Sequence, residues 1–259
     1  MLKIADEMKK SPIRARDGDI GSIGDYYFDD RTWALRYVVV EIGSWLNRKK
    51  VLVSPAALSP LSDGAIPAAL TREQVAESPD IQTDLPVSRR HIEEITAYYG
   101  WPVMWGGTGF MAGEPSMIPP AAQQLAADRE KKEEEIGKGH YDEHLRSADE
   151  VRGYHVSAVD GRIGHIRDLV LDDNAWAIRY LIVDTRDWLP GRTVLVSPRW
   201  VTDVQWDGRT VAVDLTRELI ETSPPYDPDT PIQRQYEQLL HSHYGRTGYW
   251  HEREEKKPQ

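Results

Sequence analysis

Residues 17–55 read DGDIGSIGDYYFDDRTWALRYVVVEIGSWLNRKKVLVSP, and residues 160–198 read DGRIGHIRDLVLDDNAWAIRYLIVDTRDWLPGRTVLVSP. The second segment repeats the first without a gap at an offset of 143 residues, and about half of the aligned positions are identical. Shorter matches at an offset of 145 continue the alignment to Tyr99-Gly100, which correspond to Tyr244-Gly245. The chain therefore contains a duplicated unit of about 100 residues.

Each copy of the unit consists of short apolar segments separated by turn residues. Asp17-Gly18 favours a tight turn, because both residues tolerate positive φ, and the glycines at 21 and 24 predict a bulge in the next strand. Residues 33–42 and 175–184 are continuous apolar runs rich in β-branched side chains, which predicts strands buried on both faces. About five or six such segments per copy are typical of a small antiparallel barrel.

A short helix is predicted at the end of each copy, over residues 87–99 and 232–244. Apolar residues recur there at helical spacing, and a glycine follows directly in both places. The predicted organisation has four parts: repeat 1 at 1–100, an aromatic, Gly- and Pro-rich and then charged linker at 101–144, repeat 2 at 145–245, and a flexible tail at 246–259. The two copies are expected to be small domains, or halves packed about a pseudo-two-fold axis.

Composition narrows the classes of function. The 42 acidic and 32 basic side chains give a formal net charge of -10, and a field of that sign repels nucleic-acid phosphates. Cysteine is absent, so no disulfide framework is expected, which suits a reducing cytoplasm. No window approaches the roughly 18 consecutive apolar residues of a membrane span, and no transmembrane segment is expected.

The motifs follow one order in both copies: a DG turn, an I-G-x-I stretch, a DD turn, W-A-x-R-Y and V-L-V-S-P. This order resembles the PRC-barrel family, which includes the cytoplasmic domain of the photosynthetic reaction centre H subunit and the C-terminal domain of the ribosome maturation factor RimM. The resemblance is nearest to the H-subunit-like branch. It implies two small PRC-type β-barrels that act mainly as adaptors. Unlike the H subunit, this chain shows no transmembrane helix.

Two arginines lie inside strongly apolar segments of the repeats. Arg36 and Arg179 occupy matching positions, and a buried cation is costly unless it is paired. We expect structural ion pairs between Arg36 and Asp25 and between Arg179 and Asp168. The alternative is that both arginines bind a ligand.

Paired aspartates recur in one turn of each copy, at Asp29-Asp30 and Asp172-Asp173. Clustered carboxylates are suitable ligands for a hard cation, and the turn preference of aspartate explains the same pattern. The spacing therefore leaves a metal site and a structural turn as open alternatives.

Histidine supplies two further pairs. His140 and His144 have the i, i+4 spacing of a metal pair but lack the glutamate of a zinc-protease motif, so chance spacing is favoured. His241 and His243 lie near a predicted helix end, where they are expected to complement the helix dipole. The repeated serines, Ser54 and Ser197, precede proline and have no repeated histidine beside them, so a catalytic triad is not supported.

Tryptophan is abundant, with nine residues. Four recur in both copies and are expected in the cores or between the copies: Trp33, Trp45, Trp176 and Trp188. Three others lie outside the cores, where tryptophan is a typical interface anchor: Trp101, Trp105 and Trp250.

We therefore expect a non-enzymatic, cytoplasmic tandem PRC-barrel protein that needs no cofactor and binds a protein partner or a second copy of itself. One alternative is a small-ligand- or metal-responsive protein that uses the turn aspartates. A second alternative is a RimM-like adaptor for ribosomal RNA, which the acidic charge disfavours.

Overall fold

The computed structural model describes residues 1–44, 47–79, 81, 97–100, 144–186 and 192–251. The chain divides into two compact units, one made of residues 1–83 and 144–259 and the other of residues 84–143. In the second unit residues 97–99 are helical, and Gly100 follows with a φ of 66°. This agrees with the predicted end of the first C-terminal helix, whose residues 87–96 lie outside the described part of the chain.

Repeat 1 builds one sheet of the larger unit. It begins with β1 (Leu2–Ile4) and α1 (Ala5–Lys9), continues through β2 (Pro12–Ala15), β3 (Gly18–Asp29), β4 (Leu35–Ser44), β5 (Asn47–Val53) and β6 (Ile66–Pro67), and ends in α2 (Arg72–Glu77). The sheet order is β5-β4-β3-β2-β6. Neighbouring strands are antiparallel except β2 and β6, which are parallel.

Repeat 2 builds the other sheet. Its elements are β7 (Leu145–Ser147), α3 (Ala148–Val151), β8 (His155–Ala158), β9 (Gly161–Asp172), β10 (Ala177–Asp184), β11 (Thr193–Val196), β12 (Val201–Gln205), β13 (Thr210–Val213), α4 (Arg217–Glu221) and α5 (Arg234–His243). The order is β11-β10-β9-β8-β13-β12. The mainly β character predicted from the sequence is confirmed.

The strand pairing differs from the prediction at one place in each sheet. The pairs β2–β6 and β8–β13 are parallel, whereas all neighbours were predicted to be antiparallel. In repeat 2, β8 forms a hairpin with β9 and β13 forms a hairpin with β12. The free edge of β8 in the first hairpin pairs with the free edge of β13 in the second, and the two strands run in the same direction.

Each sheet also receives a short strand from the other repeat. The strand β1 pairs with β9, so that Leu2 lies opposite Asp172. The strand β7 pairs with β3, so that Leu145 lies opposite Asp29. Both pairings have the same register when the repeats are aligned at the offset of 143 residues.

A glycine permits a close backbone approach in each repeat. A Cβ atom on Gly21 would lie 2.0 Å from the carbonyl oxygen of Glu41, and one on Gly164 would lie 1.9 Å from that of Asp184. Any other residue would therefore force the neighbouring strand away. The predicted bulge in β3 is also present, since its register with β4 shifts between Ile23 and Asp25.

Trp33 and Trp176 mark the junction of the repeats. Both are buried and adopt positive φ, 57° and 45°. They lie at the end of a turn, whereas the sequence predicted strands over residues 33–42 and 175–184 that include them. Their carbonyl groups accept hydrogen bonds across the junction, Trp33 from the Ile178 amide and Trp176 from the Leu35 amide, each over 2.8 Å. These contacts agree with the expected location of Trp33 and Trp176 between the copies, whereas Trp45 and Trp188 lie outside the described residues.

Among the described residues, no helix combines the length and the apolar composition needed to cross a membrane.

Candidate functional site

The repeated arginines form ion pairs with the turn aspartates. Arg36 Nη2 lies 2.7 Å from Asp29 Oδ2, and Arg179 Nη2 lies 3.2 Å from Asp172 Oδ2. Burial alone would raise the pKa of Asp29, but the hydrogen bond from Arg36, together with backbone hydrogen bonds, lowers it to about 2. Both arginine side chains are mostly buried. Each ion pair links the two strands of a hairpin near its turn, β3 to β4 in repeat 1 and β9 to β10 in repeat 2.

The predicted partners of the arginines were wrong. Asp25 lies opposite Val39 in the sheet, three residues beyond Arg36, which corresponds to about 10 Å along a strand. Asp29 lies at the end of β3, next to the start of β4, and is therefore the carboxylate within reach. The same geometry holds in repeat 2, where Arg179 binds Asp172 and not Asp168.

Asp25 and Asp168 instead contact repeat 2 at its N-terminal end. Asp25 accepts hydrogen bonds from the Ser147 hydroxyl and from the Asp149 amide. Asp168 forms an ion pair of 2.8 Å with Arg152. Burial raises the pKa of both aspartates, and these contacts offset that effect only in part.

The second aspartate of each turn is held by the start of the other repeat. Asp30 lies 3.0 Å from His144 Nδ1 and 3.2 Å from Arg146 Nε. Asp173 binds the amino group of Met1. Within the described ranges no three His, Cys, Asp or Glu side chains are grouped so as to hold a metal ion. The four turn aspartates are therefore engaged by protein groups, as the structural-turn alternative requires.

Trp250 packs against the C-terminal helix. Its ring centroid lies 4.9 Å from that of His241, and the Arg234 guanidinium lies 4.2 Å above the Trp250 ring. Tyr249 beside it is buried and lies 4.1 Å from the Arg179 guanidinium. The first residues of the predicted flexible tail are thus ordered by aromatic and cation–π contacts. Residues 252–259 lie outside the described part of the chain, as do Trp101 and Trp105.

A buried polar network lies beneath this segment, and the sequence did not reveal it. Glu237, which is 2% exposed, accepts hydrogen bonds from the hydroxyls of Tyr180 (2.9 Å) and Tyr249 (2.8 Å). Arg234 forms an ion pair of 2.8 Å with the same carboxylate. The Tyr180 oxygen lies 3.0 Å from His241 Nε2. These contacts join β10, α5 and the C-terminal segment.

Burial sets the charges of this network. The pKa of Glu237 is raised, because the effect of burial exceeds the opposing effect of the hydrogen bonds from both tyrosines and of the ion pair with Arg234. Burial lowers the pKa of His241 to about 4, so the imidazole is neutral at pH 7. His241 therefore does not supply the positive charge that was expected at the end of α5. His243 instead places Nε2 2.7 Å from the Leu219 carbonyl oxygen, which joins α5 to α4.

Three exposed apolar side chains surround α4, and we call them the α4 surface: Val159 (69% exposed), Leu219 (36%) and Leu239 (58%). Val159 lies on the turn that adjoins α4, since its amide donates to the Leu215 carbonyl. Leu219 is part of α4. Leu239 lies one turn before His243 on α5, on the side that contacts α4.

The matching positions of repeat 1 are all polar. Val159, Leu219 and Leu239 correspond to Arg16, Gln74 and Glu94 in the aligned sequence. Gln74 also has a structural role, because its side chain accepts a hydrogen bond from the Thr71 amide and completes a capping box. Leu219 cannot form this bond. In repeat 2 the Thr216 hydroxyl still caps α4 by accepting from the Leu219 amide, but the second hydrogen bond of the box is missing and an apolar group is exposed at the same position.

Comparison with protein families identifies the second sheet. Residues 143–220 match the family model of the PRC-barrel domain. These residues are a PRC-barrel domain. No curated protein matches the chain. The PRC-barrel match runs from β7 through most of α4, so it includes Tyr180 but ends before α5.

The polar network therefore connects the PRC-barrel domain to a helix beyond it. Glu237 and His241 correspond to Ile92 and Thr96 in repeat 1, so neither belongs to the polar residues shared by both copies. The search for repeated residues missed them for that reason. The signal that could have revealed the network is the replacement of an apolar residue of repeat 1, Ile92, by an ionisable residue in repeat 2, Glu237.

Proposed function

We propose that the protein is a non-enzymatic, cytoplasmic adaptor whose PRC-barrel domain binds a protein partner through the α4 surface. The observation that carries this proposal is the exposure of Val159, Leu219 and Leu239 at positions that are polar in repeat 1. Single exposed apolar residues are common. Three around one short helix, with an incomplete capping box at one of them, favour an interaction surface.

The charge around the α4 surface favours one class of partner. Asp160, Glu218 and Glu221 are exposed beside it, and the whole chain has a formal net charge of -10. Complementary charge steers association and disfavours wrong partners. The proposed partner is therefore a protein segment that presents apolar side chains flanked by lysine or arginine, such as a basic amphipathic helix.

The polar groups shared by the repeats support a non-enzymatic role. Arg36 and Arg179 bind their own turn aspartates, and Asp25 and Asp168 bind repeat 2 groups at the junction. An active site needs a reactive group that is directed at substrate, and these side chains are directed at one another.

We also infer that both repeats are PRC-type barrels, each followed by a short helix, and that a pseudo-two-fold axis relates them. The equal register of the β1–β9 and β7–β3 pairings supports this inference. The reciprocal hydrogen bonds of Trp33 and Trp176 support it as well.

The binding proposal is tested by exchanging the matched positions. The variant V159R/L219Q/L239E transfers the repeat 1 residues to the α4 surface, and R16V/Q74L/E94L makes the opposite exchange as the control. The probes are two fluorescent 18-residue helical peptides, one of leucine and lysine and one of leucine and glutamate. We expect the lysine peptide to bind the native protein and the control, and to lose at least tenfold in affinity on the first variant. Equal affinity for all three proteins would contradict the proposal.

The partner itself is sought by placing a photo-crosslinking amino acid at Leu239 in the source cell, with the same residue at Glu94 as the control. A cross-linked peptide rich in lysine or arginine around apolar residues, found only with position 239, supports the proposal. An acidic peptide, a lipid or a second copy of this chain would contradict the proposed partner class.

The two rival functions make different predictions. A metal- or ligand-responsive protein would be stabilised by one compound in a thermal-shift panel, and Asp29→Ala would abolish that shift. A RimM-like adaptor would retain RNA in a salt-sensitive manner.

A further inference from the structure

The two repeats contact each other through reciprocal ion pairs. Lys9 Nζ lies 2.6 Å from Asp149, and Arg152 Nη1 lies 2.6 Å from Asp6. Lys9 aligns with Arg152 and Asp6 aligns with Asp149 at the offset of 143 residues. Each repeat therefore contributes a basic side chain and an acidic side chain at the same aligned positions.

The exchanged strands and the chain near the junction show the same reciprocity. Ala34 and Ala177, which are aligned with each other, form an isolated antiparallel bridge. The turn aspartates continue the pattern, because Asp30 binds His144 and Asp173 binds Met1, again at aligned positions. A surface in which position i of one half meets position j of the other, and position j meets position i, is isologous, the type found in two-fold dimers.

An isologous interface does not require that its two halves belong to one chain. The contacts described above, all among residues that the structure describes, lie in residues 1–35 and 144–178. Joining two modules covalently raises their effective concentration without adding a contact. Within one molecule the pairing is therefore favoured at low protein concentration.

We propose that a second copy of this chain can supply either half of the interface, so that repeat 1 of one molecule pairs with repeat 2 of another. This inference rests on the pseudo-two-fold relation proposed above and is independent of the α4 surface. Exchange of β1 and β7 between molecules gives the same hydrogen bonds and ion pairs as exchange within one molecule.

One contact gives the pairing a direction. Asp25 of repeat 1 accepts a hydrogen bond from Ser147 of repeat 2, and the residue aligned with Ser147 in repeat 1 is Ile4. In a pair of two first repeats, Ile4 would face Asp25 and could not donate. A partly buried carboxylate that loses a donor is penalised, so repeat 1 prefers repeat 2 to another repeat 1.

The test cuts the chain between the two repeats and keeps both fragments in solution. A site for a sequence-specific protease is inserted within residues 101–143, and unlabelled and ¹⁵N-labelled proteins are cut, mixed and analysed by native mass spectrometry. We expect each cut protein to keep both fragments in one complex, and the mixture to form complexes of a labelled repeat 1 with an unlabelled repeat 2 and the reverse. Fragments that separate at micromolar concentration, or that pair only with their own kind, would overturn the proposal.

A serine variant tests the directing contact. Ser147→Ile should weaken the complex of the two fragments by at least about tenfold, because it removes the hydrogen bond to the partly buried Asp25 carboxylate and the bond that the Ser147 hydroxyl accepts from the Glu150 amide. Ser59→Ile, at an exposed serine of repeat 1, serves as the control and should leave the affinity unchanged. Equal affinities for the two variants would show that Ser147 does not direct the pairing.

Discussion

Replacing Arg152 with methionine should destabilise the protein strongly, because this side chain neutralises acids of both repeats. Arg152 lies 2.6 Å from Asp6 and 2.8 Å from Asp168, and its side chain is only 22% exposed. The Asp168 side chain is 11% exposed. Methionine keeps much of the packing volume and removes the charge, so the variant isolates the electrostatic contribution.

The expected magnitude follows from the burial of Asp168. Removing one member of a buried ion pair costs about 3–5 kcal/mol, and a hydrogen bond from the Leu169 amide remains, so we expect a loss of about 2–3 kcal/mol. For a chain of this size that corresponds to a fall in Tm of roughly 5–10 °C. The matched control is Lys9→Met at the aligned position, where the partner Asp149 is 45% exposed and the cost should stay below about 1 kcal/mol.

The loss should depend on pH. Burial raises the pKa of Asp168 in the folded state, so the folded protein binds this proton more tightly than the unfolded chain does. Removing Arg152 raises that pKa further, and a protonated carboxyl no longer needs a cation. The deficit measured by urea unfolding should therefore be larger at pH 7 than at pH 4, and Asp168→Asn in the same chain should restore most of it. A deficit that is equal at both pH values, or as small as that of the Lys9 control, would refute this reasoning.

Three further predictions concern single positions. Gly164→Ala should cost at least about 2 kcal/mol in urea unfolding because its Cβ meets backbone, whereas Gly153→Ala, with open space around it, should cost about 1 kcal/mol. Leu219→Gln should stabilise the protein by roughly 0.5–1 kcal/mol by completing a capping box, and Gln74→Leu should lose a similar amount; the reverse signs would contradict the role of the cap. The stability of the native protein should fall as the pH drops from about 6.5 to about 4, because His241 is neutral when folded and takes up a proton on unfolding; His241→Asn should have a shallower pH profile.

The repeated strands could be predicted because each carries its own pattern. The apolar runs that became β4 and β10 are long, β-branched and flanked by turn residues, and these local features persist whatever packs against them. The exchange of β1 and β7 could not be predicted, since three-residue strands carry no periodicity. Their pairing is determined by a distant segment, β9 or β3, and not by their own sequence.

The ion pairs show why residue types alone do not fix partners. The sequence indicated that Arg36 needs an anion, and two aspartates of β3 satisfied that requirement equally well. The choice depends on the register, which shifts between Tyr27 and Phe28 and again between Ile23 and Asp25. Since each bulge moves every later side chain by one position along the partner strand, a pairing inferred from sequence spacing fails beyond it.

The differences between the two copies have a common physical consequence. In repeat 2, Glu237 and Tyr180 hold α5 on the sheet through hydrogen bonds in a buried setting, and such bonds fix an orientation more strictly than apolar packing does. The same helix carries Leu239, which the proposed partner would contact. The aligned sequence of repeat 1 has an apolar Ile92 and a charged Glu94 at the corresponding places. A helix that presents an apolar contact must be held in one position for that contact to have a defined shape, whereas a solvated helix need not be. The network and the α4 surface are therefore expected to depend on each other, and Glu237→Gln should weaken binding of the basic peptide even though Glu237 is buried and lies outside the surface.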